Sequence, residues 1–482
     1  MGKKRSYLLI LVLVLILALS GFFLLRGNAA TAENGQGREI SLWLVTEESV
    51  SDGMNSQVQA LVRQFEAAHP AVTIRVDILP TQEGEREACL EKLHALIGAG
   101  KGPDLYLLPT QNVLTLEHPR KYSYTAVAPV FSDLTAAMYA GTFLDLSAWF
   151  DADADLGKSA LNGTVMDAGV VDGARYALPL RYDAPVVYVW EDALAREGAD
   201  PDVLAEGIDD WMAYAVESGN AVLAQGADYL SMDAFSHVAD YGRGEVRLTA
   251  EALAKYLTLA QQVGEMVGTE ISHRSAASLM GYAYDLWKPV PVQLGRLSHA
   301  LLYSAIAQAE QKRLEIYPLR TVEGDYIAEV TYFAAVGAQC AEPEAAYGFV
   351  RQFLLAQAQW EADRPMPADG QYPGLVEKGL PVRMAGGTAP VWQCYRRQAA
   401  QMRSGAAQAA AARLEKIGGQ ELTGVQILTE AFDGARFPLP ELPTFGEIGA
   451  LLNDRDSGDA AKDIDLAQAS NRLIGEISAL VG

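Results

Sequence analysis

Apolar positions in the first part of the chain recur with the periods of strands and helices in alternation. Residues 40–45 are mostly apolar, as in a buried strand, and residues 72–78 alternate apolar and polar side chains, as in a strand with one wet face. Between them, residues 58–65 place apolar side chains at i, i+3, i+4 and i+7, the pattern of one helix face. A second helix from residue 85 and a strand over 105–108 complete a β-α-β-α-β series. This order predicts a parallel, doubly wound sheet.

A segment in the middle of the chain has the pattern of a crossing between two lobes. Residues 176–180 are extended, residues 186–189 are β-branched or aromatic, and a helix start follows at Glu191. Because proline fixes φ and donates no hydrogen bond, Pro179 and Pro185 suit a chain that leaves one sheet and joins another. An ordinary edge hairpin inside one domain is the alternative.

The remaining chain continues the α/β pattern. Strands are predicted over 290–294 and 326–336, and helices over 208–216, 249–267, 297–314, 344–360, 398–417 and 460–481. With 482 residues the chain exceeds the size of one hydrophobic core, which indicates two or more domains.

The N-terminal segment has the features of an export signal. Lys3, Lys4 and Arg5 precede an uncharged apolar run over residues 7–25, long enough as a helix to cross a bilayer. The basic flank places the following chain outside the cytoplasm. Residues 1–32 are therefore predicted to be a signal peptide or an N-terminal transmembrane anchor, with the anchor favoured, and residues 33–38 a tether.

Charge and composition exclude several classes of partner and chemistry. The net charge of −23 argues against nucleic acid or an anionic lipid surface as a partner. The three cysteines are too few and too far apart for a disulfide framework or a zinc site.

Two local motifs resemble ligand loops but lack required positions. Residues 157–159 resemble the end of a phosphate loop without its first glycine, and residues 151–162 resemble a calcium loop without its glycine and its final glutamate. The hydrolase motifs HExxH and GxSxG are absent. No catalytic residue, metal or cofactor is predicted.

Several segments, taken in order, resemble a known family. They read LVRQFEAAHPAVTIRV, GKGPDLYLLP, FLDLSAWFD, DGARYALP leading to VVYVWEDAL, IYPL, AAYGFVRQFLLAQAQWEAD and GDAAKDIDLAQASNRLIGEISAL. From about residue 40 to the C-terminus the chain resembles the extracellular solute-binding proteins of the sugar-type (family 1) class that serve ABC importers. It departs from them by lacking a lipidated cysteine after the signal and by having Tyr188, Val189 and Trp190 where many members have Tyr-Tyr-Asn.

The resemblance implies a bi-lobed fold of the periplasmic-binding-protein type 2 kind. Each lobe is expected to be a mainly parallel sheet flanked by helices, and the chain is expected to cross the hinge several times. The implied lobes are residues 39–180 plus 318–364 and residues 181–317 plus 365–482. Binding and release of a solute are implied, not chemistry.

A sugar presents hydroxyl groups around its ring and apolar C–H faces above and below it. Its cleft therefore needs flat aromatic surfaces and planar hydrogen-bonding side chains. Arg181 and Tyr182 are favoured because they directly follow the crossing. The ligand-binding candidates are Glu47, Thr110, Arg181, Tyr182, Asp183, Trp190, Tyr229, Trp287, Arg296 and Tyr332.

These observations predict a protein held at the extracellular face of the cell membrane, or secreted after cleavage. It is expected to be a monomer that captures a carbohydrate or similar polar solute and delivers it to the transmembrane subunits of an ABC permease. Two alternatives remain open: an extracellular sensor on the same fold, and a surface carbohydrate-active enzyme using two carboxylates.

Overall fold

The polypeptide folds around two β-sheets of different size. The computed structural model describes residues 39–47, 53–80, 83–111, 113–118, 123–197, 207–267, 292–300, 307, 311–362, 379–383, 432–440, 442–453 and 465–481. Trp287, the helix predicted over 398–417 and the whole export segment lie outside the described residues.

The strands of the described chain, numbered in order, are mostly short. They are β1 Ile40–Glu47, β2 Val72–Leu79, β3 Leu105–Pro109, β4 Val113–His118, β5 Ser123–Val127, β6 Val170–Val171, β7 Ala174–Arg175, β8 Leu178–Asp183, β9 Pro185–Trp190, β10 Ala239–Asp240, β11 Glu245–Val246, β12 Val292–Arg296, β13 Leu314–Pro318, β14 Ile327–Val336, β15 Leu380–Pro381 and β16 Gly434–Arg436.

The helices of the described chain separate or flank these strands. They are α1 Gly53–Ala68, α2 Glu83–Gly98, α3 Leu134–Tyr139, α4 Ser147–Ala152, α5 Gly163–Asp167, α6 Glu191–Glu197, α7 Ile208–Glu217, α8 Ala221–Gly226, α9 Ala250–Val267, α10 Pro343–Ala362, α11 Pro443–Asn453 and α12 Leu466–Val481. Short 3₁₀ turns cover Lys158–Ala160, Met232–Ala234 and Leu297–His299. None of the described helices is long and apolar enough to cross a membrane.

The larger sheet, which we call the main sheet, has the order β15-β8-β14-β3-β1-β2, with β16 paired to β14. The β-α-β-α-β prediction is confirmed: β1 and β3 are parallel neighbours with Leu44 opposite Leu105. Strand β14 runs antiparallel to both β3 and β8, so the sheet is mixed. Helix α10 packs on it through Phe349, which meets Phe65 of α1 edge to face.

The smaller sheet, which we call the small sheet, has the order β12-β9-β13. Both pairings are antiparallel, so the expectation of a mainly parallel sheet in each lobe is wrong here. These strands come from well-separated parts of the chain, so they can pair in either direction. The local sequence pattern of a strand does not reveal which direction its partner takes.

A second hydrophobic core packs on the small sheet. Trp211, Phe235, Tyr256 and Leu473 are fully or almost fully buried in it, together with Val187 and Val189 of β9. Helices α7, α8, α9, α11 and α12 contribute to this core. We call these elements and the small sheet the small-sheet region, and the elements on the main sheet the main-sheet region.

The chain passes between the two sheets at several points. Strand β8 ends at Asp183 in the main sheet, and β9 begins at Pro185 in the small sheet, so the predicted crossing takes place at Ala184. Strand β8 continues through Pro179, which pairs with Phe333 next to a register shift in the β8–β14 ladder. The return passes from Pro318 of β13 to Ile327 of β14.

Strand positions differ from the predicted lobe boundaries in two places. Arg181–Asp183 belong to the main sheet, and so do β15 and β16, although residues 181–317 and 365–482 were assigned to the second lobe. Very short strands such as β15 are defined by their partners, which local sequence patterns do not reveal.

Candidate functional site

Two of the predicted ligand-binding residues, Glu47 and Thr110, lie at the carboxyl ends of β1 and β3, but their side chains are engaged inside the protein. Glu47 accepts a 2.7 Å hydrogen bond from Arg86, and both side chains are about 2% exposed or less. Arg86 also donates to the carbonyl oxygens of Pro80 and Ala128. Thr110 Oγ1 donates to the carbonyl oxygen of Val330 at 2.5 Å.

Three further predicted residues lie in the interior of the main sheet. Tyr332 is fully buried and its hydroxyl donates to the carbonyl oxygen of Leu107 at 3.3 Å. Arg181 donates to the carbonyl oxygen of Gly379 at 3.2 Å, and the Tyr182 ring meets Phe432 edge to face. Both are less than a tenth exposed, so their role in ligand contact stays a prediction.

Asp183 connects the two sheets at the crossing through its hydrogen bonds. Its carboxylate accepts hydrogen bonds from the Ala184 amide at 2.9 Å, and from the Ser298 amide at 3.0 Å and hydroxyl at 2.5 Å. Asp183 thereby ties the end of β8 to the 3₁₀ turn that follows β12. Trp190, at the far end of β9, is buried with Lys312 over its ring at 5.9 Å.

Two predicted residues, Tyr229 and Arg296, meet at a buried group of charges where the two sheets join. Arg296 Nη2 donates to Asp233 Oδ2 at 3.0 Å, and the Tyr229 hydroxyl donates to the same oxygen at 3.1 Å. Glu329, on β14, lies 3.7 Å from Arg296 Nη1 and 3.8 Å from Arg436 Nη2. We call Asp233, Arg296, Glu329 and Arg436 the junction cluster.

Contacts at the ends of β12 and β16 position the two arginines of the junction cluster. Arg296 ends β12, where Gly295 leaves room for the Tyr188 ring, whose hydroxyl donates to the Arg296 carbonyl oxygen at 2.6 Å. Arg436 ends β16 and donates to the carbonyl oxygens of Met232 at 3.1 Å and Phe235 at 2.5 Å. The cluster therefore draws on both sheets.

Hydrogen-bonding capacity is left over in this cluster. Arg296 Nη1, Glu329 Oε1 and Arg436 Nε are buried and have no hydrogen-bond partner among the described residues. Buried polar groups are nearly always paired, with protein, water or ligand. These three atoms are therefore positioned to bind a polar partner.

Burial and neighbouring charges shift the pKa values within the cluster. Burial, reinforced by the neighbouring Asp233, raises the pKa of Glu329 to about 8. Burial opposes ionisation of Asp233 as well, but Arg296 and its hydrogen bonds hold the pKa of that carboxyl below its usual range. Burial also raises the pKa of the Tyr229 phenol.

An open groove of about 270 Å³ lies beside the cluster, with Arg436 in its wall. Tyr139 of α3 and Tyr241, after β10, stack at its rim with ring centroids 5.9 Å apart. The Tyr241 hydroxyl donates to Asp133, the N-cap of α3, so this rim bridges the main-sheet and small-sheet regions. The groove thus combines aromatic faces with planar charged groups. Its polar lining includes Asp167, Asp240, Arg247 and Arg436.

Sequence reasoning missed most of these residues. None of the ten candidates lines the groove, and Asp233, Glu329 and Arg436 were not predicted. One signal was available for Glu329, since it is an acid inside the apolar strand IAEVTYFAAV. Asp233, Arg436 and the Tyr139–Tyr241 pair carry no local signal, because only the tertiary structure brings them together.

Comparison with known proteins shows which solved structures the fold of this chain resembles. Neither a protein-family model nor a curated protein matches the chain. A periplasmic oligogalacturonide-binding protein from Yersinia enterocolitica is similar in structure, with 14% identity over 92% of this chain and 99% of that one and a TM-score of 0.50. A designed esterase matches with 12% identity over 92% and 98% of the two chains and a TM-score of 0.51.

A third structure, an extracellular solute-binding protein family 1 member from Alicyclobacillus acidocaldarius, has 14% identity over 93% of this chain and 100% of that one, with a TM-score of 0.46. The Yersinia structure and the designed esterase show that the chain has a mixed α/β fold like theirs. The same fold occurs in the designed esterase, so the fold alone does not define the function.

Proposed function

We propose that this protein captures a polar organic solute, a carbohydrate or a molecule with similar hydroxyl groups, between its main-sheet and small-sheet regions. The observation that carries the proposal is the junction cluster, in which both regions contribute planar charged side chains with unused hydrogen-bonding capacity. Such side chains are suited to hydroxyl groups, and Tyr229 adds a phenol at the same place.

The fold and the sequence support this role. The structurally similar Yersinia protein is described as binding an oligogalacturonide, and the family 1 resemblance of the sequence points to sugars as well. In open α/β sheets, ligands collect beyond the carboxyl ends of the strands. The junction cluster lies on that side, because β16 extends the sheet beyond the end of β3.

The sequence also supports a proposal about the family, location, partner and lobe boundaries of this protein. We propose membership of the family 1 solute-binding proteins, export through residues 1–32, a tether over 33–38, and delivery of the solute to an ABC permease from the extracellular face of the membrane. The lobes would follow residues 39–180 plus 318–364 and residues 181–317 plus 365–482, with β15, β16 and the end of β8 moved to the first lobe. The protein would act as a monomer without metal or cofactor.

An enzymatic role using two carboxylates is less well supported by the cluster. Asp233 and Glu329 both lie within 4 Å of the Arg296 guanidinium group, at 3.0 Å and 3.7 Å. Retaining glycosidases hold their two carboxyl groups roughly 5 Å apart, and inverting ones hold them further apart, with the sugar between them. The Arg296 guanidinium group occupies space that a sugar between these two carboxyl groups would need.

Thermal melting of the full-length chain against a panel of sugars, peptides and polyamines tests the proposal. A solute present at 100 times its Kd adds about 2.7 kcal/mol to the free energy of unfolding and raises the melting temperature. We expect a shift with sugars or related polyols. A panel without any shift would contradict solute capture, and turnover of a glycoside under the same conditions would favour the enzyme alternative.

A further inference from the structure

The three buried atoms of the junction cluster that have no hydrogen-bond partner among the described residues differ in the bonds they form. Arg296 Nη1 and Arg436 Nε carry hydrogen atoms and only donate, whereas Glu329 Oε1 is a carboxyl oxygen that accepts. A chemical group that satisfies all three atoms must therefore both accept and donate. A hydroxyl group does so, because it has one O–H donor and two acceptor lone pairs.

The carboxyl group of Glu329 lies between the two guanidinium groups. Its Oε2 is 3.7 Å from Arg296 Nη1, and its Oε1 is 3.8 Å from Arg436 Nη2. Both distances are longer than a hydrogen bond, so both arginines leave acceptor capacity on the carboxylate. A carboxylate accepts through both of its oxygens, so two adjacent hydroxyl groups of one solute can donate to Glu329 together.

The junction cluster is open on one side. The side chain of Glu329 is 3% exposed, whereas those of Arg296 and Arg436 are 24% and 17% exposed. Glu329 thus forms the floor of the cluster, and the two arginines stand nearer to solvent. Because Arg436 also lines the open groove, a solute in the groove reaches the cluster through this side chain.

The two arginines are poorly arranged to bind an anion. A guanidinium group binds a carboxylate or a phosphate best through two parallel N–H groups. Both Nη atoms of Arg436 donate to backbone carbonyl oxygens, those of Phe235 and Met232, and Nη2 of Arg296 donates to Asp233. A bidentate contact with an anionic solute would have to compete with these hydrogen bonds.

Charged solute groups also fail to complement Glu329 and its neighbours together. A carboxylate or phosphate group accepts but does not donate, so it would leave Glu329 Oε1 without a donor and place two anions side by side. An ammonium group donates but does not accept, and it would face the guanidinium groups of Arg296 and Arg436. A buried polar atom that remains without a partner is costly.

We propose that Glu329 selects neutral hydroxylated solutes by accepting hydrogen bonds from two adjacent hydroxyl groups, and that it discriminates against solutes that place a carboxylate, phosphate or ammonium group at the junction cluster. Arg296 and Arg436 donate to the same hydroxyl groups. This inference rests on the proposed function and narrows its solute class to neutral sugars and polyols.

A hydroxyl group fits the cluster in both ionisation states of Glu329, because it donates to a carboxylate and accepts from a protonated carboxyl group. An anionic solute is repelled only by the carboxylate. Burial raises the pKa of Glu329 to about 8, so binding measured at pH 9 compares the solutes with this group ionised.

The first test uses the full-length wild type. Its melting temperature is measured at pH 9 with neutral hexoses, pentoses, disaccharides and sugar alcohols, with the uronic acid of each hexose, and with putrescine as a cation. We expect the largest shift with a neutral solute. A uronic acid or putrescine that stabilises the protein more than every neutral solute would overturn this inference and leave solute capture intact. A panel without any shift would contradict the proposed function, and this inference would fall with it.

The second test uses Glu329→Gln, which keeps the size of the side chain and replaces one acceptor oxygen by an NH₂ donor. We expect the affinity for the best neutral sugar at pH 9 to fall by at least about tenfold relative to that for a uronic acid. Glu315→Gln, at an exposed position of β13, should keep the wild-type affinities. An equal loss of affinity for neutral and acidic sugars in Glu329→Gln would overturn the inference, and the wild-type panel decides it if this variant does not fold.

Discussion

Two buried groups of charges in this protein are built differently. At the carboxyl end of β1, Glu47 and Arg86 form a 2.7 Å ion pair, and Arg86 also donates to two backbone carbonyl groups. In the junction cluster, Glu329 lies 3.7–3.8 Å from its two arginines, and polar atoms remain without a hydrogen-bond partner among the described residues. The first group is a short ion pair within the main-sheet region. The second spans two regions and combines the 3.0 Å pair of Arg296 and Asp233 with the longer contacts of Glu329.

The difference separates a structural role from a functional one. A buried pair with short contacts is costly to break, and it rigidifies the edge where it lies. A cluster in which some polar atoms have no partner among the described residues retains the capacity to bind a ligand. Arg86 is 2% exposed, whereas Arg296 is 24% and Arg436 17% exposed, so exposure, the lengths of the contacts and the regions they join all distinguish the two groups.

The largest expected effect comes from breaking the structural pair. Arg86→Met leaves Glu47 buried beside Tyr332 without its cation, and we expect the free energy of unfolding to fall by about 3–5 kcal/mol. Urea denaturation measures this loss. Arg75→Met, which removes an exposed pair with Asp77, should change stability by less than about 1 kcal/mol.

Solute binding by the folded fraction of Arg86→Met should stay within about twofold of the wild type, less than about 0.5 kcal/mol. A large loss of affinity in this variant would remove the distinction between the two groups of charges.

Removing a cation from the junction cluster should weaken both solute binding and stability. Arg296→Met leaves Asp233 and Glu329 without their shared partner, and we expect a loss of stability of about 1–3 kcal/mol. Solute affinity should fall by at least about tenfold, or 1.4 kcal/mol, in calorimetric titration.

The matched control for Arg296→Met is Arg313→Met, since Arg313 is 68% exposed and pairs with Glu191 and Asp192 on the surface. This control should change neither stability nor affinity appreciably. Unchanged affinity in Arg296→Met would mean that the junction cluster does not contact the solute.

The smallest expected effect is at the rim of the groove. Tyr241→Phe keeps the stacked ring and loses the hydrogen bond to Asp133, for an expected loss of about 0.5–1.5 kcal/mol. Because this bond joins the two regions, the apparent affinity should change by a few-fold. Tyr214→Phe, within the small-sheet region, should leave the affinity unchanged. Equal effects of the two variants on affinity would show that the rim contact does not couple the regions.

Sequence patterns predicted the long elements of this fold well. The apolar period of β1, α1, β2 and α2 indicated their type and order, as in α1, where Val58, Leu61, Val62 and Phe65 are all buried. The hairpin of β4 and β5 and the short strands β15 and β16 were missed. Elements of two or three residues are defined by their pairing partners and not by a local period.

The site was less predictable than the fold. Glu47 and Thr110 lie at the carboxyl ends of β1 and β3, where ligands collect in open α/β sheets, but a position in the sequence does not determine where a side chain points, and both are bound to internal partners. Tyr229 and Arg296 were predicted from their chemistry. Their partners Asp233 and Arg436 are distant in sequence, and packing alone brings them together.

The central claim is that the main-sheet and small-sheet regions close on a solute bound through the junction cluster. Small-angle scattering of the full-length chain, with and without a solute identified by thermal melting, tests it most directly. We predict that the radius of gyration decreases when the solute saturates the wild type and does not change for Arg296→Met at the same concentration. A bound solute that leaves the radius of gyration of the wild type unchanged, or that compacts Arg296→Met equally, would contradict the claim.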